Sequence, residues 1–79
     1  MAIEDSDLEN WFSYHAPLGD QTERYARLRA AAHEFAKVII GNTPACADQT
    51  ATIRMLRKTM MMANATIACN EADFGGHLI

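Results

Sequence analysis

Covalent chemistry needs a nucleophile beside a base, a close pair of carboxylates, or a metal set. The chain offers none of these at a recognisable spacing. Cys46 and Cys69 lie far apart, and neither belongs to a Cys-x-x-Cys pair. His15, His33 and His77 lack metal-ligand spacing. There is no Gly-x-Ser-x-Gly and no glycine-rich phosphate loop. Most acids stand in the N-terminal segment or at helix starts, where they act as solvated capping charges. The expectation is a protein that is not an enzyme and holds no metal or other cofactor. Its two thiols are expected to be reduced, buried or half-buried, in a cytosolic compartment.

Binding chemistry is better represented. Trp11, Phe12, Tyr14 and Tyr25 fall within 15 positions. Trp11 and Phe12 are expected to anchor a short first segment, and Tyr25 to lie in a core or an interface. Tyr14 and His15 open a bend before Pro17, where the Tyr14 ring can face a ligand or a partner. The net charge of −3 conceals a division. Residues 1–23 hold six acids and no basic residue, whereas all seven basic residues fall between Arg24 and Lys58. The basic middle is either a set of solvated helix faces or a local surface for an anion.

Three helices would position these groups. Ser6 can cap a short helix through Phe12. Pro17 disfavours helix before it, and Gly19 can supply a turn. Asp20 to Glu23 resembles a capping box. Tyr25, Leu28, Ala32, Phe35 and Ile39 then recur at spacings of 3, 4, 3 and 4, which is one helical stripe. Gly41 would end that helix. Thr43 as cap and Pro44 in the first turn open a third helix. Its stripe is Ile53, Leu56, Met60, Ala63 and Ile67. The short link Gly41-Asn42-Thr43 forces an antiparallel hairpin. The predicted fold is all-α: a short N-terminal helix packed on a long antiparallel hairpin of about 20–40 and 44–70. Residues 1–79 form a single helical domain, ordered over about 6–71, with a loose tail at 72–79. On this pattern Arg29 and Arg57 sit on the shoulders of their stripes, Arg24 on the opposite shoulder, and Arg27 farther out. A shoulder arginine can bury its stem and aim its guanidinium at a phosphate or a carboxylate.

A chain of 79 residues buries only roughly 60% of its unfolded surface. Disulfide and metal staples are absent, so oligomerisation is the expected source of further stability. Met55, Met60, Met61 and Met62 supply more apolar positions than one helix face needs. No apolar run approaches the roughly 20 residues of a membrane span, and the acidic N-terminus is unlike a signal peptide. The negative charge and the lack of a dense basic recognition helix argue against DNA or RNA duplex as a partner.

The run Phe12-Ser13-Tyr14-His15-Ala16-Pro17, then Gly19-Asp20-Gln21, Glu23-Arg24-Tyr25 and Leu28-Arg29, resembles a family of small phage proteins. Phe35-Ala36, Thr43-Pro44 and Met62 to Ala68 with Asn70-Glu71 extend the likeness over roughly residues 12–71. The family is the all-helical anti-CBASS nucleotide sponges. The resemblance implies a compact hexamer in the cytosol of an infected bacterium. It implies sequestration of the host's cyclic oligonucleotide signals without cleavage. Cyclic dinucleotides such as cyclic GMP-AMP would sit between two protomers, and cyclic trinucleotides at a separate site. The family's base-stacking tyrosine matches Tyr14, and its phosphate-binding basic residue best matches Arg29. His15, Pro17, Tyr25 and Asn70, from the same motifs, complete the candidate ligand-binding set. One position departs: where relatives carry an arginine tied to trinucleotide binding, this chain has Cys69. A thiol cannot make that charge-assisted contact, so the resemblance implies dinucleotides more strongly than trinucleotides.

A two-fold ligand suits this assignment. Two copies of Tyr14 could stack on two bases, and two of Arg29 could face two phosphates. The alternative function is a small helical oligomeric interaction module that blocks a host regulator through its methionine-rich face.

Overall fold

The computed structural model describes residues 2–71. They form three helices, α1 (Asp5–Phe12), α2 (Gln21–Asn42) and α3 (Ala47–Asn70), and no strand occurs among the described residues. The tail expected at 72–79 lies outside them.

The starts of α1 and α3 differ from their sequence expectation, and α2 keeps its expected cap residue but not the cap bond, for reasons the local hydrogen bonds explain. Ser6 is not the cap of α1; Glu4 is. The Asp7 carboxylate reaches back and accepts from the Glu4 N–H at 3.0 Å, which moves the start before Ser6. Asp20 does stand at the N-cap of α2, but its side chain makes no cap bond. Its Oδ1 instead accepts from Arg24 Nε at 3.0 Å. Gln21 Oε1 takes the Leu18 N–H at 2.9 Å. Gly19, at φ +55°, makes the left-handed step before this start.

Gly41 does not end α2, which runs on to Asn42. Asn42 Nδ2 and Thr43 Oγ1 donate to the carbonyls of Val38 and Ile39, each at 2.7 Å, closing the last turn with side chains. Thr43 is thereby used as the end of α2 and cannot cap α3. Gln49 Nε2 holds it from the other side, donating to its carbonyl and hydroxyl oxygens at 3.2 and 3.1 Å. Pro44 falls in the link rather than in the helix, and α3 starts after Cys46.

α2 and α3 pack against each other as an antiparallel pair. The Thr43–Gln49 contacts tie one end, and Gln21 and Arg24 bond to Glu71 at the other. The two predicted stripes face each other, yet most of their members are only half-buried. Ile67 is the single buried apolar residue among those described. Phe35 remains 56% exposed. A two-helix layer cannot enclose a side chain on all sides, since each helix covers only one face of the other. Trp11 and Phe12, expected as the anchor of α1, are exposed, Phe12 by 84%. Trp11, half exposed, lines a groove with Met62 and Ala65 of α3, and polar contacts tie α1 down: Asn10 Nδ2 donates to the Cys69 carbonyl at 2.9 Å, and Cys69 Sγ lies 3.9 Å from the Asn10 carbonyl. Both cysteines are free thiols; Cys69 is half-buried as expected, but Cys46, at the cap of α3, is exposed. Inside the hairpin flank, Asn64 Oδ1 is buried with no hydrogen-bond partner.

Candidate ligand-binding site

The bend between α1 and α2 is built by side chains from three elements. His15 Nε2 donates to the Asn10 carbonyl at 2.7 Å, which folds the bend back on the end of α1. Gln21 fixes its far end through the Leu18 N–H and reaches on to Glu71 at 3.2 Å. The result is an open groove of about 440 Å³ lined by Asn10, Tyr14, His15, Leu18, Gln21 and Glu71, among others. Tyr14 stands at its edge with 86% of its surface exposed.

Arg24 supplies the strongest local electrostatics. It was expected on an interface shoulder, from which a guanidinium can reach a carboxylate; at 8% exposure it is more buried than any apolar residue described. It bridges Asp20 and Glu71. The hydrogen bond from Arg24 holds the Glu71 carboxyl below its ordinary range, against an opposing effect of desolvation. The same bond, with Asp20 adding to it, keeps the guanidinium firmly protonated. The Arg24 charge is thus spent on two carboxylates.

The sequence-predicted residues divide accordingly. Tyr14 and His15 share the groove at the bend. Asn70 lies in a neighbouring groove of about 400 Å³ with Trp11, Met62 and Thr66, and Cys69 lines both grooves. Tyr25 is half-buried on α2, and Pro17 and Arg29 are exposed. None of these three lines either groove. Sequence reasoning missed Gln21, Arg24 and Glu71 as a joined set. Glu71 lay just past the expected end of the last helix and carried no role of its own, and its partners lie 47 and 50 positions away. No spacing rule links such distant positions.

A third groove, of about 570 Å³, lies on the outer side of α3 between Arg54, Met55, Arg57, Lys58 and Met61. Among the described residues, no group of three His, Cys, Asp or Glu side chains could hold a metal ion. No helix among them is long and apolar enough to cross a membrane. Compared with protein families, with curated proteins and with solved structures, the chain shows no match.

Proposed function

We propose that this chain is a homo-oligomeric binding protein that sequesters cyclic dinucleotides without cleaving them, and so lets a phage evade CBASS immunity in the bacterial cytosol. The observation that carries the reading is Tyr14. Its ring is 86% exposed at the rim of an open groove, where packing within one chain does not use it. Stacking on a base is the role such a ring fits. The nearby cation, Arg24, is neutralised by Asp20 and Glu71, so phosphate contacts fall to the exposed Arg29. Tyr14 lines the groove at the bend and Arg29 lies outside it, and the reading therefore places the ligand between protomers. A hexamer, as the resemblance implies, would repeat that site on its two-fold axes. Cyclic trinucleotides remain a secondary ligand class, weakened by Cys69.

The second reading, an interaction module that blocks a host regulator, is favoured by the exposure of Met55, Met61 and Met62. Thermal melting separates the two. Cyclic dinucleotide at a hundredfold its Kd stabilises a binder by about 2.7 kcal/mol, which raises Tm by roughly 10 °C or more in a chain of this size. No shift with any cyclic di- or trinucleotide would refute the sponge reading. Dinucleotide released by heating the complex should return intact, and linear product above a boiled control would move the protein to the enzymes.

A further inference from the structure

α3 is apolar on one side and, apart from Lys58, on the opposite side as well. One side faces α2. Along the other runs a second stripe, Ala51, Met55, Lys58, Met62, Ala65 and Cys69, spaced 4, 3, 4, 3 and 4, which is the spacing of a helix–helix seam. At 1.5 Å per residue it is about 27 Å long. α2 leaves it open, with Met55 and Met62 each 67% exposed, and α1 half-covers only its last member, Cys69, through Asn10. Its two ends differ in character. The N-terminal end is the groove between Arg54, Met55, Lys58 and Met61. At the C-terminal end Trp11 stands beside Met62, Ala65 and Cys69, on α1, which is capped by Glu4 and carries Asp5, Asp7 and Glu9.

We propose that a second copy of this chain covers the stripe, with the two α3 helices antiparallel about a two-fold axis between Lys58 and Met62, and Trp11 of the partner subunit seated in the groove beside Met55. Three observations select this occupant and this direction. The first is size. In that register Met55 opposes Ala65, Ala51 opposes Cys69, and Lys58 opposes Met62, so a larger side chain meets a smaller one toward each end. Lys58 can lay its stem along the methionine and keep its ammonium in water.

The second is charge. Arg54, Arg57 and Lys58 take part in none of the ion pairs formed among the described residues. The antiparallel arrangement brings this cationic end toward the acidic α1 of the other copy, and symmetry makes the contact twice. A parallel pair would set like charges together at both ends. The third is the anchor. Trp11 is half exposed, and a groove of methionines and arginines offers an indole both sulfur and cationic neighbours. The inference rests on the chain being a homo-oligomer and on no property of its ligand.

The test is a cross-link in nucleotide-free protein. Ala51→Cys, in a Cys46→Ser background, should join the partner's Cys69 under mild oxidation and run as a covalent dimer on a non-reducing gel. The band should vanish with reductant or with Cys69→Ser. Thr52→Cys, one position off the seam, should stay monomeric on the same gel. Trp11 is the only tryptophan, so its emission should shift to the red on dilution as the mass from light scattering falls. An oligomer that gives no Ala51→Cys cross-link would overturn the interface, as would equal cross-linking from Thr52→Cys or a folded mass near 8.8 kDa at every concentration. Nucleotide titration is a separate measurement, so failure of one reading leaves the other standing.

Discussion

Tyr14→Ala is the substitution whose effect the structure sizes best. A tyrosine side chain presents roughly 150–250 Å². At 86% exposure, roughly 130–215 Å² of it is open to a ligand. A base stacked on one ring face covers about half of that, which at about 25 cal/mol per Å² is roughly 1.6–2.7 kcal/mol. Base–aromatic stacking measured by alanine substitution falls in the same range, about 1–3 kcal/mol per base. A site on a two-fold axis loses both rings at once, so the total is about 3–5 kcal/mol, or roughly a hundredfold to several thousandfold in Kd. The fold should hardly register the change, since a side chain this exposed contributes within about 0.5 kcal/mol. Calorimetric titration with a cyclic dinucleotide, run beside size-exclusion chromatography, reads both quantities. Arg29→Ala should weaken binding comparably and flatten its salt dependence. An intact assembly with unchanged dinucleotide affinity in both variants would refute the site. Smaller species from either variant would show instead that Tyr14 and Arg29 hold subunits together.

Ile67→Ala removes the one buried apolar side chain among those described and should lower the unfolding free energy by about 2–4 kcal/mol; a urea midpoint unchanged from wild type would show that the hairpin end is not the core. Asn64→Ala deletes a buried carbonyl oxygen that lacks a partner and adds a better helix former, so a gain of about 1 kcal/mol is expected in the same assay. A loss would mean that a partner subunit or a ligand supplies the missing donor. Glu71 carries a pH dependence. Its folded pKa lies below the ordinary 4.5, so the unfolded chain binds its proton first. The stabilisation from this carboxylate is complete above about pH 4.5 and is lost as pH falls through the lower folded value. Glu71→Gln should therefore show a shallower loss of stability than wild type over the acid range, and parallel curves would remove the Arg24–Glu71 pair from the account.

The hairpin was legible in the amino-acid order because it depends on local periodicity. The 3-4-3-4 stripes of α2 and α3 put Leu28, Ile39, Ile53, Leu56 and Ile67 among the half-buried or buried positions of the packed pair, and the α3 end at Asn70 was met as well. The starts of α1 and α3 were not legible to the residue, and at α2 the cap residue was, but not what its side chain binds. A threonine or aspartate can cap one helix or serve another partner, and only the assembled ends decide which. Thr43 closes α2, and Asp20 binds Arg24. The tertiary structure alone could bury Arg24, because its burial depends on Glu71, which arrives from the far end of the hairpin. It also tied α1 down with polar contacts, through Asn10 and Cys69. Trp11 and Phe12 kept the apolar character that their sequence context displays, but two helices have too little surface to bury it. Composition sets how much apolar surface a chain carries, whereas the number of faces available to cover it is a property of the fold.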